Sequence, residues 1–233
     1  MKTFVITLKD DPLSEAAAKK TIESCREINQ DSLDIENYDA VTPDRVDELM
    51  KRYELRWVYP WIGRTLDLKS GLMLSAYETS QPKKRIACFL SHYELWKKCI
   101  ELNEPIIVLE HDALFINKVD IDLLYNSKYY IISLNDPRGA TRKSQLYYDT
   151  VKNTCLPIAS VPKIDDDQIP QGLPGNSAYY LKPEGAKRLV YLTNEYGAWP
   201  NDAIMCKQLI PNRLGVLTNF STRVQGIKST TTL

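Results

Sequence analysis

Four consecutive apolar residues, Ile106-Ile107-Val108-Leu109, open after Glu104-Pro105 and run straight into Glu110-His111-Asp112. Successive side chains of a strand point to opposite faces, so a run without polar alternation has to be covered on both sides. That puts it in the middle of a sheet with helices packed on either face, an α/β arrangement. In open α/β sheets the ligand crevice lies beyond the carboxyl ends of the strands, and the sheet would deliver Glu110 and Asp112 there. Two carboxylates one residue apart repel each other unless a cation sits between them. Oxygen ligands suit Mn²⁺ or Mg²⁺, hard cations that also bind and neutralise phosphate oxygens. The competing reading is a strand that ends in solvated acids, and spacing alone favours it.

The rest of the chain supplies partners for this strand. Met1 to Leu8 holds a short apolar run, too brief for a signal peptide or a membrane span, and reads as a buried first strand. Ser14 to Asn29 is a helix-forming mixture of Ala, Lys and Glu, and Asp34 to Val41 a second extended segment, which makes a β-α-β opening. Thr42-Pro43-Asp44 starts a helix that carries Val46, Leu49, Met50 and Tyr53 at helical spacing. Residues 57–85, with Trp57, Tyr59, Pro60, Trp61 and Gly63, are either an irregular loop folded over a ligand or a surface-packed connection. Between Ile86 and Leu102, Phe89, Tyr93, Trp96 and Ile100 line one face of a packed helix. Tyr129 to Leu134 is a strand that ends at the loop Asn135 to Gly139. A polar, loop-like region follows, with Asp165-Asp166-Asp167 and Gly172-Leu173-Pro174-Gly175. Ser177 to Leu181 is a short strand, Pro183 to Tyr196 a helix opened by proline, and Asn201 caps a further helix to Leu209. No repeat or linker interrupts residues 1–233, which read as a single domain long enough to bury its own core.

Charge and cysteines narrow the function classes. Thirty basic and thirty acidic side chains cancel and are interspersed, so no global field draws the protein onto nucleic acid or anionic lipid. Five cysteines, an odd and widely spaced set with no CxxC pair, argue against a disulfide framework or a cysteine zinc site and point to a reducing cytoplasm.

Cys88-Phe89-Leu90-Ser91-His92-Tyr93-Glu94-Leu95-Trp96, followed by Pro105 to Ala113, resembles the signature of family 25 glycosyltransferases, the lipooligosaccharide and collagen galactosyltransferase group. In that family a cysteine-x-leucine-serine-histidine helix precedes a strand ending in glutamate-aspartate-aspartate. Phe4 to Leu8 and Tyr38 to Val41 resemble its first two strands, Gly175 to Leu181 with Gly185-Ala186 its glycine-x-x-alanine-tyrosine block, and Pro200-Asn201-Asp202 its late proline-x-aspartate. Residues 42–85 and 135–170 match poorly. The resemblance implies a GT-A-type fold, a Rossmann-like central mixed sheet flanked by helices, a divalent cation and a UDP-sugar donor. It implies Glu110 and Asp112 as metal ligands, and Thr7, Leu8, Ala40, Val41, Arg85, Ser91, His92 and Glu110 around the donor. His111 departs from the family, which usually has aspartate there.

Several of these residues carry bland readings beside the functional ones. His92 lies next to the apolar helix face, where a buried histidine bonded to backbone is favoured over direct catalysis, with Ser91 and His92 shaping the donor pocket. Adjacent helical residues diverge by ~100°, which disfavours a serine-histidine nucleophile pair. Asp202 is the candidate base for the acceptor hydroxyl, although an acid in a first helical turn is favoured by the helix dipole in any case. Lys83-Lys84-Arg85 is either a solvated face or a diphosphate contact. The acceptor is a saccharide or another hydroxyl compound, including a hydroxylated base in DNA of the kind some phage glycosyltransferases modify. A non-catalytic nucleotide-sugar or glycan-binding relative is the second functional class. A histidine-aspartate phosphohydrolase, suggested by His111-Asp112, needs more histidines than the two present.

Overall fold

A computed structural model describes residues 1–139 and 143–227. Its elements are β1 (Lys2–Thr7), α1 (Pro12–Asn29), β2 (Asp34–Asp39), α2 (Val46–Arg52), β3 (Arg64–Asp67), β4 (Leu72–Ser75), α3 (Pro82–Leu102), β5 (Ile106–Glu110), β6 (Ala113–Phe115) and α4 (Ile121–Asn126). They continue with β7 (Ile131–Ser133), α5 (Ser144–Lys152), β8 (Ile158–Ser160), β9 (Ala178–Leu181), α6 (Pro183–Tyr196), α7 (Asn201–Ile204), β10 (Leu214–Leu217) and β11 (Thr222–Val224). Seven strands form one mixed sheet in the order β2-β1-β5-β9-β7-β10-β8. The mixed α/β architecture expected from the sequence is present. The segment Gly215 to Leu233 carries few cations, which argues against membrane docking of the basic, aromatic tail type, and its end, residues 228–233, lies outside the described residues.

β5 pairs in parallel with β1 and antiparallel with β9, so both its edges are filled. Its side chains alternate between two apolar layers. Ile106 and Val108 join Phe4, Ile6, Tyr179 and Leu181 beneath α3 and α6, while Ile107 and Leu109 join Val5, Ala178, Tyr180 and the buried face of α1. By the same period of two, Glu110 emerges on the α3 side and Thr7, at the end of β1, on the α1 side. The parallel strands β1, β2 and β5 all end at one rim of the sheet, at Thr7, Asp39 and Glu110.

Three segments differ from the sequence reading. Residues 57–85 contain the antiparallel hairpin β3–β4, which buries Leu72 and Leu74 and turns through Ser70 and Gly71 (φ +71°) with Asp67 accepting from the Ser70 amide at 2.8 Å. The region expected to be loop after Gly139 holds α5 and β8, anchored by buried Tyr147, Val151, Ile158 and Ala159. The helix expected from Asn201 to Leu209 ends at Ile204, and Pro200 rather than Asn201 takes the cap position. Its truncation has a packing cause. Gln171 O accepts from Lys207 N at 2.9 Å, and a Cβ on Gly172 would lie 2.6 Å from Asp202 O and 2.9 Å from Met205 O, so the 171–172 backbone occupies the space in which the helix would continue. Gly172→Ala is therefore expected to lower stability by about 1–3 kcal/mol, a drop of several degrees in melting temperature. An unchanged melting temperature would mean that the contact yields freely. Among the described residues no helix is long and apolar enough to cross a membrane.

Candidate active site

Parity along β5 aims Glu110 at α3, and α3 answers with His92, one turn beyond Cys88. His92 is 1% exposed and its Nε2 lies 3.4 Å from Glu110 Oε1, whereas Glu110 is 35% exposed and open to solvent. No hydrogen bond closes between them, and Nε2 has no partner among the described residues. The other ring nitrogen, Nδ1, is 2.9 Å from the Tyr179 hydroxyl, which also accepts from the Trp96 indole N–H at 2.9 Å. Trp96 is a donor only, so the Tyr179 proton is free for Nδ1, and that tautomer puts the N–H of His92 on the side of Glu110. The bland expectation for His92, a buried imidazole bonded to backbone, is replaced by one bonded to a tyrosine and facing an acid.

Glu110, His111 and Asp112 sit on a braced backbone. Thr21 of α1 donates to His111 O at 2.7 Å, and Gln225 N, just past β11, donates to Asp112 O at 2.9 Å. Asp112 Oδ1 is buried and meets no partner among the described residues. Burial, together with the nearby Glu110 charge, pushes the Asp112 carboxyl up to about 7. An unpartnered buried oxygen and a crowded second acid are what a hard cation relieves, so the pair fits Mn²⁺ or Mg²⁺. Burial holds His111 below the usual histidine range, leaving a neutral ring. Among the described residues His111 and Asp112 belong to no group of three or more metal-type ligands, so a histidine-aspartate phosphohydrolase set does not assemble.

Asp202 approaches the same region from α7. The Tyr77 hydroxyl donates to its Oδ2 at 2.6 Å, and the Arg85 guanidinium stacks over the Tyr77 ring at 4.6 Å. Burial raises the Asp202 carboxyl above the ordinary range; Tyr77 and Arg85 pull it back, and the Glu110 charge adds to the rise. Arg85 thus faces the acids rather than the solvated side, where Lys83 pairs with Asp47 at 2.6 Å. Beside Asp202 and Tyr77 opens a cavity of about 300 Å³, walled also by Tyr59, Ser75, Tyr147 and Gly172. Ser75 Oγ and the Tyr147 hydroxyl are buried there without partners among the described residues. Asp165 forms part of this wall and pairs with Lys143 at 3.1 Å, while Asp167 stays in solvent with Lys163.

The donor candidates divide by face. Ser91 is buried, donates to Ala87 O and accepts from Val41 N at 2.9 Å, so its hydroxyl fixes the turn after β2. Ala40 N bonds to Thr7 O at 2.9 Å, tying that turn to the end of β1, and Leu8 N bonds to Ser14 Oγ. The Thr7 hydroxyl lies 3.1 Å from Asn37 Oδ1 on the α1 side and lines a separate 430 Å³ groove with Lys9, Arg26 and Asp39. Thr7 therefore turns its side chain to the α1 side, away from Glu110, while the amides of Leu8, Ala40 and Val41 are bonded within the protein and Ala40 and Val41 pack in the α3-side core. Sequence reasoning missed Tyr77, Trp96's indole, Tyr179, Thr21 and Gln225. Ala178 to Leu181 is apolar and buried on both faces, so no local alternation marks Tyr179 as facing α3, and nothing local marks Tyr77.

The model of glycosyltransferase family 25, described as an LPS biosynthesis protein, matches residues 1–205. No curated protein matches the sequence. Among solved structures, a galactosyltransferase LgtC in complex with donor and acceptor sugar analogues is 9% identical, with 97% of this chain and 87% of that chain covered at a TM-score of 0.49. Mouse xyloside xylosyltransferase 1 in its apo form is 12% identical, with 93% and 84% covered at a TM-score of 0.44. The family match spans the first strand, the α3 signature, the β5 acids and Asp202, and the chain belongs to glycosyltransferase family 25.

Proposed function

We propose that residues 1–233 act as one catalytic unit that transfers a sugar from a nucleotide-sugar donor, of the UDP class, to a hydroxyl on a saccharide acceptor. The observation that carries this reading is the pairing of Glu110 with the buried, unpartnered Asp112 oxygen at the end of the central strand of a family 25 chain. A hard divalent cation bound by these two acids supplies charge neutralisation for the diphosphate leaving group. The protein's own groups do the rest. The turn fixed by Ser91 and the end of β1 seat the nucleotide at the rim, Arg85 faces the phosphates, and His92, held by the Trp96–Tyr179 relay, faces Glu110 across 3.4 Å. As the bond between the anomeric carbon and the phosphate oxygen breaks and that carbon bonds to the acceptor oxygen, Asp202 takes the acceptor's proton. The cavity beside Asp202, with its aromatic walls and two unpartnered hydroxyls, suits a sugar ring better than a base held in a duplex.

A thermal-shift screen of nucleotide sugars with and without Mn²⁺ tests the donor assignment. One donor at a hundredfold excess over its Kd stabilises the folded state by about 2.7 kcal/mol, a rise of roughly 5–10 °C, and needs the metal. Absence of any metal-dependent rise across UDP, GDP, CMP and TDP sugars would overturn the reading. Stabilisation without release of nucleoside diphosphate, alone or with any saccharide, would instead identify a binding relative.

A further inference from the structure

We infer a second cation site, for a soft divalent ion of the Zn²⁺ class, formed by Cys88 Sγ, His92 Nε2 and Glu110, with Glu110 shared between it and the Glu110–Asp112 pair. Cys88 and His92 stand four residues apart on α3 and so project from one helical face onto the end of β5. Their ligating atoms and a Glu110 oxygen all lie within 4.8 Å of one another. With metal–ligand bonds of about 2.0–2.3 Å, tetrahedral ligands stand roughly 3.5 Å apart, so the 3.4 Å between His92 Nε2 and Glu110 Oε1 already matches. The remaining contacts close by side-chain adjustment of about an ångström.

Two further observations point to a ligand. His92 Nε2 is buried, has no hydrogen-bond partner among the described residues and is aimed into the group. Ligation requires the other tautomer of the ring: the proton leaves Nε2 for Nδ1, which stays anchored on the Tyr179 oxygen, now accepting from Nδ1–H while Trp96 still donates to it. That support fixes the ring as metal-binding histidines are usually fixed, through the nitrogen that does not ligate. Thiolate with imidazole selects Zn²⁺ over Mg²⁺ or Mn²⁺, and Glu110, more than a third exposed, leaves a path for entry and a fourth position for water. Binding releases the Cys88 proton to solvent.

The functional consequence rests on the proposed transferase reading. Zn²⁺ in this site draws Glu110 toward α3 and away from Asp112, so zinc is an inhibitor that competes with the activating cation. Cys88 takes no part in transfer itself.

Cobalt(II) is the probe, because a thiolate ligand gives it an intense near-ultraviolet charge-transfer band. One equivalent of Co²⁺ is expected to produce the band in the full chain and in Cys155→Ser, which removes the exposed cysteine. Cys88→Ser is expected to abolish it and to raise the Zn²⁺ concentration for half-inhibition at least ~10-fold while Mn²⁺-supported transfer is unchanged. Asp112→Asn, which lacks the hard-cation pair, keeps the band. No band in the native protein, or a band that survives Cys88→Ser, overturns the site. A band without any transferase activity retains the site and refutes only the transferase reading; transfer without a band does the reverse.

Discussion

Asp112→Asn is expected to raise the melting temperature of the metal-free protein at pH 8 while abolishing metal-dependent transfer. In the folded chain burial and the Glu110 charge push the Asp112 carboxyl from an ordinary 3.8 up to about 7. The folded state therefore holds this proton more tightly than the unfolded chain does. Stability from this group is highest below about pH 4, falls as pH rises through the interval from about 4 to 7, and is lowest above it. At about 1.4 kcal/mol per pKa unit the penalty near pH 8 is on the order of 2–4 kcal/mol. A neutral amide of the same shape escapes it, which corresponds to a gain of roughly 5–10 °C. Mn²⁺ should stabilise the native protein most at pH 8 and leave Asp112→Asn unmoved. Melting curves of both proteins at pH 5 and pH 8, with and without Mn²⁺, decide the matter. A variant less stable than the native chain at pH 8 would mean that Asp112 is satisfied as it stands.

The second large effect belongs to Asp202→Asn. Removing the proposed proton acceptor is expected to lower the rate of transfer by about 10²–10⁴-fold while donor-induced stabilisation with Mn²⁺ persists, since Asp202 lines the cavity proposed for the acceptor. Tyr77→Phe gives a finer reading of the same group. The Tyr77 hydroxyl donates to Asp202 and lowers its pKa, so removing it raises that pKa further. A base works deprotonated, so the acidic limb of kcat/KM moves to higher pH in Tyr77→Phe, with the alkaline limb unmoved. An identical pH profile in the two proteins, or full turnover in Asp202→Asn, would remove Asp202 from the mechanism.

The parts of the site that were legible in the sequence are those set by local periodicity. An apolar run that ends in acids fixes β5 and the position of Glu110 at its rim, and the spacing of Phe89, Tyr93 and Trp96 fixes the buried face of α3. The face on which Thr7 emerges was not legible, because Phe4-Val5-Ile6 is apolar on both sides and shows no alternation to count from. Tyr77 and Tyr179 meet Asp202 and His92 across 125 and 87 residues, distances over which no sequence period speaks. α5 escaped because only Tyr147 and Val151 anchor it, and β8 because three residues are too few for a pattern. The β3–β4 hairpin was hidden by exposed Leu66 and Leu68, which blur the inward alternation of Leu72 and Leu74.

The antiparallel strand β9, inserted between β5 and β7, bears on how the chain is made. β5 can pair with β1 as soon as both have left the ribosome, but its other edge waits for Ala178 to Leu181, about 70 residues later. At 5–20 residues per second that edge stays bare for several seconds of synthesis. Ile106 to Leu109 then presents unpaired amides and carbonyls on an apolar strand, a template for a neighbouring nascent chain. The segment that carries Glu110 is thus also one that needs chaperone cover before the sheet closes.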